Sequence, residues 1–285
     1  MPDNPVTDRD VAFYQENGYW ISPKIFSDAE LERFRAHHAR VIAGDYETGQ
    51  PPFDRNLPPE GPINRLVKID NSHWSDSAIS QLVTTPLLGA MAAKLAGVSG
   101  IRLWHDQLLF KPPQAEASAG AVGWHQDYHY WQCSASTDML TAWIALVDVD
   151  ENNGCMEVVP GSHKWGLLPE SDFFEQDMDA LKARIEAASG QSFETVPCIL
   201  PAGAVSFHHC LTIHGSRPNQ SNGPRISMVS HMMPDGTCYQ SGTPADAHMN
   251  VRFLSGDDGA LFAGPYFPVI YREGVPDNTW GETIS

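Results

Sequence analysis

The segment WHQDYHYW, residues 124–131, packs two histidines, an aspartate and four aromatic rings into eight positions. In an extended strand, residues two apart project from one face. Read as a strand, His125 and Asp127 aim an imidazole and a carboxylate at one point, and His129 and Trp131 continue that face. Tyr128 and Tyr130 then point the other way, into packing. The segment reads as one wall of a metal site built on β-structure, rather than as a core strand with incidental polar groups.

The surroundings are also β in texture. From residue 100 onward, apolar runs of strand length alternate with turn clusters: IRLWHDQLLF, AVGWHQDYHYW, LTAWIALVDV, CMEVVP, TVPCIL, AVSFHH and RISMVSHMM. One helix is expected near residues 173–188. Many strands with irregular spacing predict an antiparallel sandwich or barrel. Before residue 100 the pattern is helical. Residues 7–17 read as a short helix stopped at Gly18. Ser27 and Glu30 form a capping box, and the helix after it carries Leu31, Phe34, Val41 and Ile42 on one face. Residues 86–95 read as a further helix closed by Gly97. Residues 45–64 are rich in proline and glycine and form either a lid or a plain connector.

No repeat, low-complexity run or linker divides the chain. The reading is one domain over residues 1–285: a mostly helical part at 1–99, a β core at 100–240 and a C-terminal extension at 241–285. The 285 residues, with 22 prolines and 23 glycines, suit a single turn-rich, mainly β unit with flanking helices. A formal net charge of −17 opposes nucleic acid or an anionic membrane as partner, because phosphates require basic patches. No apolar stretch approaches the roughly 20 residues that span a bilayer. The N-terminus lacks the basic start and apolar run of a signal peptide. Five scattered cysteines without a CxxC read as reduced core thiols, so the cytoplasm is the expected location. The sequence is silent on oligomeric state.

A His-x-Asp pair is weak evidence in a chain with twelve histidines. A third ligand and an anchor are needed, and both are available. His214 precedes RPNQSNGP, a turn-forming run, after which Arg225 opens an apolar strand. The two flanking strands would run antiparallel, with Arg225 roughly opposite His214. Two histidines and one carboxylate on a single face of an octahedron form the triad of non-heme Fe(II) oxygenases, with three positions open. A guanidinium nearby forks a carboxylate. An iron-bound 2-oxo acid would chelate through its keto-acid end and meet Arg225 with its far carboxylate. The remaining position would take dioxygen.

The segments HDQLLFKPP, WHQDYHYW, TAWIALVDVDENNGCMEVVPGSHKWGLLP and HGSRPNQSNGPR resemble the phytanoyl-CoA dioxygenase family of Fe(II)/2-oxoglutarate-dependent oxygenases. The resemblance covers most of the chain and is densest over residues 104–230. It implies a double-stranded β-helix fold (jelly roll, cupin-like). It implies His125, Asp127 and His214 as iron ligands and Arg225 as the 2-oxoglutarate anchor. It further implies Lys68, Gln107, Trp143 and Ser216 as contacts to that co-substrate. Ser227, on the strand face of Arg225, would add a hydroxyl to the same carboxylate. His105 shares a face with Gln107 and is either a substrate contact or a hydrogen-bonded core residue; His129 and Trp131 are further candidates for the substrate mouth. One of His208 and His209 must face inward.

The implied cofactors are Fe(II), 2-oxoglutarate and O2, with ascorbate as reductant. The implied reaction is hydroxylation of an unactivated C–H of a small organic molecule, with succinate and CO2 released. Desaturation, epimerisation and ring formation begin with the same hydrogen abstraction. Related halogenases replace the carboxylate with a small residue, so Asp127 argues against halogenation. Two rivals differ in kind. A same-fold Zn or Mn enzyme running non-oxidative chemistry would have no use for Arg225, and a non-catalytic ligand-binding homologue would be expected to carry a broken triad. Few basic residues and no Lys/Arg cluster near the site tilt the substrate away from a CoA thioester.

Overall fold

Capping chemistry sets the N-terminal helices. In the computed structural model, helix α1 (Asp8–Asn17) opens at Thr7, whose side chain accepts from the Asp10 N–H while the Asp10 carboxylate accepts from the Thr7 N–H. It closes at Gly18 in the left-handed region, φ 76°. Strand β1 (Tyr19–Ile21) follows. Helix α2 (Asp28–Ala43) opens on the Ser27/Glu30 box and buries Leu31, Phe34, His38 and Val41, with Ile42 half-buried beside them. The structure describes residues 3–57, 61–113 and 120–276. Residues 58–60 of the predicted 45–64 loop and 277–285 of the predicted extension therefore lie outside the described residues.

The 45–64 segment is not wholly loop. It holds the exposed strand β2 (Asp54–Asn56), which pairs with β3 (Val67–Asp70). Two helices follow: α3 (Ser77–Val83), capped by the Asp76 carboxylate, and α4 (Pro86–Ala96), with proline in its first turn. The core strands are then β4 (Gly100–Lys111), β5 (Val122–His125), β6 (Leu140–Ala145) and β7 (Met156–Val158). Helix α5 (Met178–Ser189) precedes β8 (Val196–Pro197), β9 (Val205–His209), β10 (His214–Ser216), β11 (Arg225–Pro234) and β12 (Val269–Arg272).

These strands form two antiparallel sheets, a jelly roll. The larger runs β1-β9-β6-β11-β4-β3-β2, with β12 also on β4; the smaller runs β5-β10-β7-β8. The larger sheet draws strands from the N-terminal part, the core and the C-terminal segment alike. Its outer face packs Leu108, Met228 and Met232 against Ile79, Leu82, Leu88 and Met91 of α3 and α4. Its inner face sets Leu109, Trp143 and Val229 against Met156 and Val158 of the smaller sheet. Each such fully buried aliphatic side chain contributes about 1.5–3 kcal/mol. With both faces covered, β4 and β11 are buried almost throughout, and the polar residues they carry on the inner face stand out.

Three local expectations are corrected. The strand read across residues 124–131 ends at His125, and Asp127–His129 form a 3-10 turn. The Gln126 amide causes the break: it donates to the Gly166 and Leu211 carbonyls and accepts from the Leu168 N–H, while the Tyr128 N–H donates to Cys210. Second, the segments around RPNQSNGP are not a hairpin. β10 pairs with β5 and β7 in the smaller sheet, and β11 with β4 and β6 in the larger. The loop crosses between sheets, held by Asn219, whose amide donates to the Gly223 and Lys111 carbonyls. Third, α5 begins at Met178 rather than near residue 173. Phe173 is tied to Gly123 by a backbone bond, and Asp177 supplies the helix cap by accepting from the Ala180 N–H. All five cysteines are free, and four are buried.

Candidate active site

His125 and His214 are direct cross-strand partners of β5 and β10, with ring centroids 4.1 Å apart. Each ring is oriented from behind. His125 Nδ1 donates to the Gly123 carbonyl at 2.8 Å, and His214 Nδ1 to the Thr212 carbonyl at 3.0 Å. Carbonyl partners assign the proton to Nδ1, so both Nε2 lone pairs face the centre. The 3-10 turn delivers Asp127 to the same point: its Oδ1 lies 3.6 Å from His125 Nε2 and 3.8 Å from His214 Nε2. The other oxygen, Oδ2, accepts from Thr141 Oγ1 at 2.7 Å and lies 3.2 Å from His208 Nε2. One carboxylate oxygen is thus saturated by protein and the other is left for the centre. These three donors, all buried, lie within 4.8 Å of one another and could hold a divalent metal on one face.

Burial opposes ionisation of Asp127, but its carboxyl lies well below the usual range, with the His208 ring and the Thr141 hydroxyl set to donate to Oδ2. Burial, with His125 and His208 alongside, pushes the His214 imidazole well down, so it stays neutral and ligand-competent.

Two chambers meet at these side chains, sharing Gln107, His125, Asp127, Phe173 and His231 as walls. The inner one, narrow at about 40 Å³, runs past Trp143 and Ser216 to Arg225. Arg225 is buried; it donates to the Gly154 carbonyl, and its guanidinium lies 5.2 Å from the Trp143 ring centroid. Its Nε and the neighbouring Ser227 Oγ are buried without partners. Its cross-strand partner is Lys111, equally buried, whose ammonium donates to Ser216 Oγ at 2.7 Å and to the carbonyls of Ser216 and Arg217. Burial lowers Arg225 to about 10 and Lys111 well below its ordinary value. Neither cation has a carboxylate partner among the described residues. An anion of the right reach fits this end, which satisfies the test for a 2-oxo diacid. The expectation of no basic cluster is corrected at this inner end; Lys111 and Arg225 are far apart in sequence and adjacent only across the ladder.

The outer chamber, about 260 Å³, is lined by His105, Trp131, Tyr130, Phe173, Phe174 and His248, among others. Lys68 opens onto this chamber rather than the inner one, and its ammonium pairs with Asp70 at 2.5 Å. The structure thus separates Lys68 from the Arg225 end, where the resemblance had grouped them. His129 lines neither chamber, and Tyr130 lines the outer one; both reversals follow from the 3-10 turn at Asp127.

Sequence reasoning missed Thr141, Gly154, Phe173, Lys111 and His231. Period-two alternation held the signal for three of them. Arg225, Ser227, Val229 and His231 share the inner face of β11, His105, Gln107, Leu109 and Lys111 that of β4, and Thr141 stands beside Trp143 on β6. Gly154 and Phe173 sit in turns and carried no such signal.

The jelly roll, with its buried two-histidine, one-carboxylate cluster between two chambers, defines a non-heme iron, 2-oxoglutarate-dependent oxygenase as the class of protein. Residues 14–227 match the phytanoyl-CoA dioxygenase (PhyH) family, and the chain belongs to it. It is 27% identical over 255 residues to the peroxisomal phytanoyl-CoA dioxygenase of Bos taurus, covering 84% of this chain and 72% of that protein. It is 29% identical over 218 residues to a probable alpha-ketoglutarate-dependent hypophosphite dioxygenase of Stutzerimonas stutzeri, covering 73% and 72%. Among solved structures it is similar to the non-heme alpha-ketoglutarate-dependent carbocyclase SnoK from nogalamycin biosynthesis, with a TM-score of 0.72, 26% identity and coverage of 94% and 99%. The epimerase SnoN, in complex with Fe3+, alpha-ketoglutarate and nogalamycin RO, superposes with a TM-score of 0.68 at 27% identity, covering 92% and 98%.

Proposed function

We propose that this chain hydroxylates an unactivated C–H bond of a small organic molecule, with oxidative decarboxylation of 2-oxoglutarate to succinate and CO2. The observation that carries the reading is the pair of chambers joined at His125, Asp127 and His214, one of them ending on a buried, anion-seeking Arg225. In this reading the three side chains hold Fe(II), which with 2-oxoglutarate and dioxygen supplies the oxidising power to break an unreactive C–H bond. Arg225 grips the distal carboxylate of the co-substrate, and Ser227 adds a hydroxyl to it. Trp143 and Ser216 shape the wall, and Gln107 stands where the chambers meet. Lys68, from its place in the outer chamber, faces the substrate instead. Trp131, Phe173 and Tyr130 exclude water around the target bond.

Asp127 fills the position that a halide would need, which favours hydroxyl return over halogenation. The anion-seeking inner end argues against Zn or Mn hydrolytic chemistry, and the intact cluster against a non-catalytic role. No helix among the described residues is long and apolar enough to cross a membrane, which is compatible with a cytoplasmic enzyme.

The test is succinate release from 2-oxoglutarate with Fe(II) and ascorbate across a panel of small molecules, with His125→Ala alongside. Turnover in the wild type and none in the variant is expected. Equal turnover in both, or no succinate in either, coupled or uncoupled, overturns the reading.

A further inference from the structure

We propose that the outer chamber is a seat for an uncharged, hydroxyl-bearing small molecule whose hydroxyl groups bond the ring nitrogens of His105 and His231. The inference rests on the two-chamber reading above only for which chamber takes the substrate.

His105 and His231 are cross-strand partners of β4 and β11, 3% and 4% exposed, with ring centroids 4.4 Å apart. His231 Nδ1 lies 2.7 Å from Thr141 Oγ1, whose own proton goes to Asp127 Oδ2. His231 Nδ1 is therefore the donor in that contact, and its Nε2 carries a lone pair. That Nε2 has no partner, and neither nitrogen of His105 has one. Native interiors satisfy nearly all buried polar atoms, and each one left over costs free energy. Three unpartnered ring nitrogens belong to two residues that wall the outer chamber, and a ligand reaching them after a small turn of the rings completes them.

Their chemistry selects the ligand. His231 Nε2 needs a hydrogen-bond donor. His105, neutral because burial pushes it down to about 3, needs one donor and one acceptor. A hydroxyl supplies both roles. A carboxylate or phosphate only accepts, and would set its lone pairs against that of His231. An alkylammonium only donates, and would leave the His105 N–H without an acceptor. Asp70 Oδ1, also buried and orphaned, is a further acceptor for an O–H. The Lys68 and Asp70 charges cancel each other, so apart from the Asp127 carboxylate of the three-residue cluster the chamber has no surplus charge to recruit an ion. The aromatic rings of Tyr130, Trp131, Phe173 and Phe174 offer apolar faces for a carbon skeleton. About 260 Å³ lies just under the usual range for ligand pockets, roughly 300–1,000 Å³. Because His231 reaches Asp127 through Thr141, a filled seat also steadies the carboxylate at the metal position.

The test is a binding measurement on the full chain, metal-free, by ligand-observed NMR and calorimetry. The probes are cis-cyclohexane-1,2-diol and, as charged counterparts of similar ring size, cyclohexanecarboxylate and cyclohexylamine. The diol is expected to bind at least tenfold more tightly than either ion. His105→Phe, which keeps a ring and removes both nitrogens, is expected to weaken the diol at least tenfold; His231→Gln, which restores an acceptor, is expected to weaken it less than His231→Phe. Thermal melts and Zn(II) titration check that each variant is folded and keeps the cluster. Equal or tighter binding of an ion, or unchanged diol affinity in folded His105→Phe, overturns the seat. A separate anaerobic titration of Fe(II)-protein with 2-oxoglutarate, followed by its charge-transfer absorbance, tests the oxygenase reading. If the band is absent while the diol still binds, that reading fails and the seat stands.

Discussion

Arg225 and Lys111 face each other across β11 and β4 as direct register partners, two buried cations without a carboxylate between them. Burying an uncompensated charge costs several kcal/mol, so the apoprotein carries a penalty that an anion in the inner chamber relieves. Arg225→Met removes one of those charges while keeping an unbranched, flexible side chain. The apo melting temperature of this variant should equal or exceed that of the wild type. Its stabilisation by 2-oxoglutarate should vanish, with affinity down at least about 100-fold, the scale of losing a buried charge-assisted pair. A variant that melts early yet still gains stability from 2-oxoglutarate would show that Arg225 serves the fold and not the co-substrate.

Thr141 offers a narrower test of the metal position. Its hydroxyl saturates Asp127 Oδ2 at 2.7 Å and so turns Oδ1 to the centre. Thr141→Val keeps the shape and deletes the hydrogen bond. Removing such an outer partner typically costs 10–100-fold in metal affinity. Competition of Zn(II) or Fe(II) against a chromophoric chelator should show that loss in Thr141→Val and near-recovery in Thr141→Ser. Equal affinities in all three proteins would mean that Asp127 needs no orienting partner.

Gly154 couples a turn to the inner chamber. Its φ is 74°, and a Cβ built there would lie 2.4 Å from the Arg217 carbonyl oxygen. Its own carbonyl accepts from Arg225. Gly154→Ala should destabilise the protein by at least about 1 kcal/mol from the left-handed backbone alone, with the backbone clash added. The displaced carbonyl should also raise the KM for 2-oxoglutarate more than it lowers kcat. Urea unfolding and steady-state kinetics read the two effects, and a KM unchanged in a destabilised protein would uncouple the turn from Arg225.

His38 gives a pH dependence remote from the metal position. It is buried, its Nε2 bonds the Leu109 carbonyl, and burial lowers it from 6.5 to about 4. As pH falls below 6.5 the unfolded chain takes up a proton here, whereas the folded chain does so only near pH 4. Stability is therefore complete above pH 6.5 and lost on acidification through that window. At pH 5 the loss from this residue is about 2 kcal/mol. Urea unfolding at pH 7.5 and 5.0 should show the wild type weakening, and His38→Gln weakening by about 2 kcal/mol less. Identical pH slopes would assign the acid sensitivity to other groups.

Much of this molecule was legible from local chemistry. The Thr7/Asp10 and Ser27/Glu30 caps and the Gly18 and Gly97 stops act over three or four residues, so their reading needs no partner strand. The residues at positions 125, 127, 214 and 225 were legible for another reason: their order and spacing resemble a family pattern, whereas histidine, aspartate and arginine as such are common among the buried residues. Tertiary structure decided the rest. Whether β10 and β11 form a hairpin or divide between two sheets depends on which apolar faces are covered, and that is set by α3, α4 and the smaller sheet, far away in the chain. Asp127 reaches the centre from a turn and not a strand, because Gln126 finds its partners at residues 166, 168 and 211. Sequence alone determined which donors were available and how short segments begin and end. Only the packing of the two sheets decided that Lys111 stands beside Arg225, that Lys68 belongs to the other chamber, and that His105 and His231 meet with their nitrogens unclaimed, since these are contacts between strands and burial is a property of the whole fold.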